Sequence, residues 1–175
     1  MQNKNDKIFE KNSPMKNTLI TLIALLLLSC NGTAQKNDSK EVFSIIKTND
    51  QWKAQLNELE YYVLRQAGTE RAFSSPLDKN YSEGIYLCAG CDTPLFKSDD
   101  KFDSGSGWPS FDRAIPNNVS YSVDYNIGYA RTEEHCSNCG GHLGHVFDDG
   151  PKKTTGKRHC INGAALKFVS MNKQQ

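Results

Sequence analysis

Cys136-Ser-Asn-Cys139, taken together with Cys88-Ala-Gly-Cys91, decides how this chain folds. The two-residue gap lets both thiolates of a pair turn toward one ion, and two such pairs complete a tetrahedron of four sulfurs. Each pair follows a strand candidate, Ile85-Tyr-Leu87 before the first and Tyr129-Ala-Arg-Thr132 before the second. Gly90 and Asn138, just ahead of the second cysteine of each pair, suit a knuckle whose backbone amides face the sulfurs. The interval between the pairs exceeds that of a compact zinc ribbon, so zinc here would tie together two distant parts of one domain. Two other readings stand beside it: disulfides, which an exported protein permits, and a redox dithiol of the thioredoxin kind. A redox pair is expected after a strand and opening a helix in a βαβ unit, which neither pair shows. A disulfide within a pair would close a very small loop and stabilise little.

Around the cysteines the chain reads mostly as short strands. Val119-Ser-Tyr-Ser-Val-Asp-Tyr125 alternates, Asp124-Tyr-Asn-Ile-Gly128 is rich in turn formers, and Ile127-Gly-Tyr-Ala-Arg-Thr132 returns, which predicts an antiparallel hairpin. Gly84–Cys88, Gly144–Phe147 and Ala165–Val169 are further strand candidates. Before them, Trp52, Leu56, Leu59 and Val63 recur at spacings of four, three and four, one face of a single helix. Thr48, Asn49 or Asp50 can cap its start and Gly68 can end it. With no βαβ rhythm, the expectation is a mainly β, antiparallel domain with an N-terminal helix packed alongside.

The 175 residues, 37% hydrophobic and 23% charged with formal net charge +1, hold one domain and a modest appendage. Neither the charge balance nor any dense basic run fits a protein held to nucleic acid through phosphates. A mean hydropathy of −0.62 excludes a polytopic membrane protein. The appendage is N-terminal: Met15-Lys16-Asn17, then an apolar run from Leu19 to Leu28, then Ser29-Cys30. This is a secretory signal over residues 1–29, too short in its apolar part to span a bilayer; an uncleaved anchor is the other reading. Its end, Leu27-Leu28-Ser29-Cys30, resembles a bacterial lipobox, which implies that Cys30 becomes a lipidated N-terminus and that the protein is exported and membrane-anchored. The polar residues 1–14 precede a second methionine with the better signal, so Met15 is a candidate start. Removing residues 1–29 takes away four lysines and two acids, leaving a chain of net charge −1. Residues 30–47 are small and polar, a lipidated cysteine on a flexible tether, and the domain spans 48–172.

The sixth cysteine, Cys160, lies in Arg158-His-Cys-Ile-Asn162. In an extended segment Arg158 and Asn162 share its face, and a nearby cation favours a thiolate; alternatively Cys160 is a buried small hydrophobe. His142 and His145, three apart in His142-Leu-Gly-His145, point to opposite faces of a regular strand, so Gly144 would have to bend the chain for both to serve one site. Phe102-Asp-Ser-Gly-Ser-Gly-Trp-Pro-Ser-Phe111 is a glycine-rich loop presenting Trp108. Indole surface, imidazole proton donors and a thiolate together suit a small apolar group attached to a polar, protonatable centre.

On these segments, and on Tyr61-Tyr-Val-Leu-Arg-Gln-Ala-Gly-Thr-Glu70, the chain resembles the methionine-R-sulfoxide reductase family over residues 48–170. The resemblance implies two small antiparallel sheets, structural zinc on Cys88, Cys91, Cys136 and Cys139, and Cys160 as nucleophile. It implies that Trp108 packs on the substrate S-methyl group. His142, His145 and Asn162 would arrange the sulfoxide and its protons, and Arg158, paired with Asp149, would help hold Cys160 as thiolate. The substrates would be oxidised proteins carrying methionine sulfoxide, the product methionine and a sulfenic acid on Cys160. Many family members carry a resolving cysteine where this chain has Ser106, so the resemblance points to an external, thioredoxin-like reductant. A zinc-dependent binding module with an inert Cys160, and a thiol-disulfide oxidoreductase using a cysteine pair, are the competing classes.

Overall fold

In the computed structural model of the chain, residues 42–171 are described. The signal segment, Cys30 and most of the tether lie outside them. Two short helices, α1 (Asn49–Gln55) and α2 (Glu58–Gln66), precede nine strands: β1 (Gly84–Cys88), β2 (Pro94–Lys97), β3 (Lys101–Phe102), β4 (Ser110–Phe111), β5 (Val119–Asp124), β6 (Arg131–Cys136), β7 (His142–Phe147), β8 (Arg158–Ile161) and β9 (Leu166–Ser170). They form two sheets, β2-β1-β9 and β3-β4-β8-β7-β6-β5, with every pairing antiparallel.

The single helix expected from Asp50 is two helices. Leu56 is extended, and Asn57 restarts the helix: its side chain accepts the Glu60 N–H at 2.9 Å while the Glu60 carboxylate accepts the Asn57 N–H at 3.0 Å. Such a reciprocal cap satisfies two amides that a continuous helix would have bonded elsewhere. Trp52, Leu56 and Val63 are buried as their spacing requires, but the break rotates Leu59 to 46% exposure. Thr48 caps α1. The left-handed residue ending α2 is Ala67 (φ 51°), not Gly68. Gly68 lies under the Tyr62 ring, where a Cβ would meet ring carbon at 2.3 Å.

The expected hairpin forms, but its return strand begins at Arg131 instead of Ile127. The Asp124 side chain accepts the Asn126 N–H at 2.6 Å, Gly128 takes φ +88° and its N–H reaches Tyr125 O at 3.0 Å, so residues 125–130 are consumed in the loop. Asp124 then faces Arg131 in register, and the strand runs on into Cys136.

The core lies between the sheets and under the helices. Tyr86 and Phe96 from the smaller sheet meet Phe111 from the larger, with Phe96 stacked on Phe111 at 4.4 Å and Tyr86 edge-on to it at 4.9 Å. Burying each such side chain stabilises the fold by about 1.5–3 kcal/mol. Tyr86 directs its hydroxyl out of the core to Asn80 O at 2.8 Å. No helix of the described residues is long and apolar enough to cross a membrane.

Candidate active site and metal centre

The metal centre joins the two sheets. Cys88 ends β1 of the smaller sheet and Cys136 ends β6 of the larger, and each pair closes with a left-handed residue directly after its second cysteine, Asp92 (φ 59°) and Gly140 (φ 67°). Those turns, not Gly90 or Asn138, supply the unusual backbone geometry. All four sulfurs lie within 4.8 Å of one another, with Cys88 to Cys139 at 3.7 Å and Cys91 to Cys136 at 3.5 Å. A zinc tetrahedron with Zn–S bonds of about 2.3 Å has edges of about 3.8 Å, whereas a disulfide requires about 2.05 Å. The four cysteines therefore fit structural zinc, and all five cysteines of the described residues are free of disulfides. Thr93 Oγ1 lies 3.1 Å from Cys91 Sγ and accepts from Asn138 Nδ2 at 3.1 Å, linking one knuckle to the other.

On the larger sheet, cross-strand register sets a polar row. Ser110 faces Cys160, Cys160 faces His145, His145 faces Glu133 and Glu133 faces Ser122. The pleat puts in-register residues on one face, so the Cys160 thiol and the His145 imidazole are neighbours by strand pairing alone. His142 joins them because β7 bulges: Glu134 pairs with Gly144 but His135 pairs with His142, leaving Leu143 as an extra residue. That extra residue reverses the alternation and brings the two imidazole centroids to 5.5 Å. Gly144 is needed for a different reason than bending: a Cβ there would lie 2.0 Å from the Cys160 carbonyl oxygen and prise β7 from β8.

Each imidazole has an acidic partner. His145 Nε2 lies 2.8 Å from Asp124 Oδ2, which Arg131 also engages, and His142 Nδ1 lies 2.7 Å from Glu133 Oε1. Ser122 donates to the other Glu133 oxygen at 2.8 Å. The Asn126 amide, with His145 and Arg131, holds the Asp124 carboxyl down at about 2 against the effect of burial. Burial pushes His145 below the ordinary imidazole value, opposed by its bond to Asp124. The His142 hydrogen bond keeps Glu133 ionised below the usual range. His142 Nε2, fully buried, has no protein partner among the described residues.

Trp108, His145, Cys160, Asn162, Phe147, Thr69 and Arg131 line a cavity of about 130 Å³. Its indole wall is fixed from behind by Glu70: Trp108 Nε1 donates to Glu70 O at 3.2 Å, while the Glu70 N–H donates to Asn162 Oδ1 at 3.0 Å. The Asn162 amide group donates to Leu143 O at 3.0 Å, so both ends of that side chain are engaged with backbone. Gly107, at φ +87°, lets the Trp108 loop close on Phe73, whose N–H donates to Gly107 O at 2.7 Å. Larger open clefts of about 590 and 890 Å³ lie elsewhere, but neither contains a cysteine.

Burial pushes the Cys160 thiol above its ordinary value; the Ser106 hydroxyl, 3.8 Å away, and the Arg158 guanidinium draw it back without overcoming burial. Arg158 acts in the expected direction but is shared. It makes a two-pronged pair with Asp149 at 2.8 and 2.9 Å and lies 4.4 Å over the Phe147 ring. Trp108, His145, Cys160 and Asn162 thus share one cavity, which His142 and Arg158 flank without lining, and Asp124, Glu133 and Glu70 brace them. Glu133 and Asp124 were signalled only by strand alternation across from the histidines, and Glu70 by its place in the Tyr61–Glu70 block.

The family described as SelR domain matches residues 56–170. The chain belongs to the SelR family. Its SelR domain is similar to "Peptide methionine sulfoxide reductase MsrB" of Leptospira interrogans, 50% identical over 127 residues that cover 72% of this chain and 96% of the relative. The protein of the same description from Bradyrhizobium diazoefficiens is 51% identical over 125 residues, 71% of this chain and 89% of that one. "Methionine-R-sulfoxide reductase B3, mitochondrial" of Mus musculus is 47% identical over 135 residues, 77% of this chain and 51% of the mouse protein.

Proposed function

We propose that this SelR domain reduces the R epimer of methionine sulfoxide in proteins, with Cys160 as nucleophile. The observation that carries the reading is the register pairing of Cys160 with His145 beside the indole of Trp108 in one side-chain-sized cavity. Apolar indole receives the S-methyl group, and the imidazoles face the polar oxygen. Sulfoxide oxygen leaves only when protonated, so His145, oriented by Asp124, or His142, oriented by Glu133, delivers a proton as Cys160 sulfur attacks the substrate sulfur. As the Cys160–substrate sulfur bond forms, the protonated oxygen leaves as water, and water then cleaves the new sulfur–sulfur bond at Cys160 and returns the proton: Cys160 thiol and sulfoxide become Cys160 sulfenic acid and methionine. Taking the proton from the buried thiol to the oxygen leaves no net charge in the cavity.

Closing the cycle requires two further thiols. The first condenses with the sulfenic acid, releasing water and forming a mixed disulfide, and the second displaces Cys160 as thiol. The four clustered cysteines are committed to the metal centre, and the position beside Cys160 is Ser106, a hydroxyl that cannot form a disulfide. A thioredoxin-like dithiol outside the chain therefore supplies both electrons. The zinc centre holds the sheets in register and takes no part in the reaction steps.

The segment ending Leu28-Ser29-Cys30 supports export and anchoring through a lipid on Cys30, with the domain repairing proteins of the cell envelope. Full-length protein fractionates with membranes on this reading, and Cys30→Ser releases it to the soluble fraction; membrane association unchanged in Cys30→Ser would contradict the anchor. For the activity, steady-state reduction of epimerically pure methionine-R-sulfoxide peptide with a dithiol is the test, and a rate unchanged in Cys160→Ser would sink it.

A further inference from the structure

The loop between β5 and β6 is more apolar than a turn at a sheet edge has reason to be. Tyr125, Ile127 and Tyr129 are 67%, 52% and 61% exposed within five residues, and residues 125–130 contain no charged side chain. Exposed apolar residues scattered singly need no explanation, but three on one six-residue loop do. Its position says what interacts. Asn126 and Ile127 line a cavity of about 200 Å³ together with His142 and His145, and that cavity shares Thr69, Arg131 and His145 with the one holding Cys160. The apolar loop is therefore the rim of the reacting site.

The Cys160 cavity, at about 130 Å³, accommodates one side chain, so a polypeptide presenting that side chain must lie across the rim. Methionine is a core-filling residue, and its oxidation to a polar sulfoxide disrupts the packing around it. The chain offered to the site is then a loosened segment whose neighbours are apolar.

We propose that Tyr125, Ile127 and Tyr129 form the docking surface for apolar residues flanking the oxidised methionine of a polypeptide substrate. This rests on the reductase reading and adds to it a basis for choosing segments exposed by partial unfolding. Asp124 and Arg131, in register at the two ends of the loop, are paired with each other, so selection at the rim is by apolar contact and not by charge.

The test uses Tyr125→Ser/Tyr129→Ser, with Ile127 left in place because it lines the cavity. Two substrates are compared, N-acetyl-methionine-R-sulfoxide and a peptide with leucines on both sides of methionine-R-sulfoxide. The expected result is a fall of about tenfold in kcat/KM for the peptide, carried by KM, with the acetyl amino acid unaffected. Equal losses on both substrates, or no loss on either, would overturn the proposal. Binding of the same peptide with a fluorescent label and ordinary methionine is measured alongside, independently of turnover. If the wild type reduces neither substrate while labelled-peptide binding still depends on the two tyrosines, the reductase reading fails and the docking surface stands. Loss of binding to phosphatidylglycerol vesicles in the variant, with peptide parameters unchanged, would instead make the loop a membrane contact and overturn the proposal.

Discussion

Asn162 and Glu70 hold each other across the reacting site. Asn162 Oδ1 accepts the Glu70 N–H at 3.0 Å, and the Glu70 carboxylate accepts the N–H groups of Gly163 and Ala164 at 2.5 and 2.8 Å. Because the Glu70 carbonyl also receives the Trp108 indole, one residue sets the distance between the indole wall and the strand bearing Cys160. Glu70→Ala leaves two amides without their acceptor, at a cost of about 1–3 kcal/mol each where they stay buried. The expected result is a lower urea midpoint together with a raised KM. Glu70→Gln, which keeps an acceptor oxygen, should recover part of both; a variant that lost stability but kept KM would show that the Glu70 backbone holds Trp108 without its carboxylate being anchored.

Stability should decline in two acid steps. Burial holds His145 below its ordinary 6.5, so as pH falls past about 6.5 the unfolded chain takes up a proton that the fold resists. Asp124, at about 2 in the fold against 3.8 unperturbed, adds a second loss as pH falls below about 4 toward 2. Both shifts are downward, so both contributions are present at neutral pH and lost on acidification. Urea unfolding from pH 7 to 2 measures this, and Asp124→Asn should flatten the lower step. An Asp124→Asn curve parallel to the wild type would count against the shift.

The resting thiol should be sluggish. With Cys160 raised by burial, iodoacetamide should modify it slowly at pH 7, with a rate still climbing beyond the ordinary thiol value of 9.0. Arg158→Ala should move that profile further upward, since the guanidinium favours the thiolate. A plateau by pH 7 would mean that the free site already holds thiolate.

In the proposed cycle, Ser106 stands where an internal resolving thiol would have to be. One equivalent of sulfoxide should leave a sulfenic acid on Cys160 that dimedone captures. Ser106→Cys, placing a sulfur where a hydroxyl sits 3.8 Å from Cys160 Sγ, should abolish capture and yield an internal disulfide visible as a loss of two hydrogens in intact mass. Undiminished dimedone labelling in Ser106→Cys would show that the loop cannot bring the two sulfurs together.

Removal of the metal should unfold the domain, not merely slow it. Structural zinc in small peptides contributes about 10–16 kcal/mol, against a typical net stability of about 5–15 kcal/mol. The centre is also where β1 and β6 are tied together. A strong chelator, or Cys88→Ser, should lower Tm sharply and remove the cooperative transition; an unchanged Tm would contradict a structural role.

Much of this could be read from residue types and spacing because the chemistry is local. Two cysteines with two residues between them, alternation over Val119–Asp124 and a thiol two residues from Arg158 each carry their meaning within a short window. A continuous helix is what the spacing of Leu56 and Val63 implies, but the Asn57–Glu60 capping box interrupts the backbone between them. Ile127 and Tyr129 have the residue types of a return strand, yet they are exposed in a loop. The meeting of His142 with His145 depends on a bulge whose partner is on β6, and the roles of Asp124, Glu133 and Glu70 depend on register between strands and loops far apart in sequence. Pairing of that kind is a property of the assembled sheet.

Whether Cys160 is oxidised by the R epimer can be read from a single turnover of the domain, without reductant, on one equivalent each of R and S methionine sulfoxide, followed by intact mass and product analysis. Stoichiometric methionine should form from R alone, with a gain of one oxygen mapping to Cys160. Methionine formed without oxygen on Cys160, or formed equally by Cys160→Ser, would contradict it.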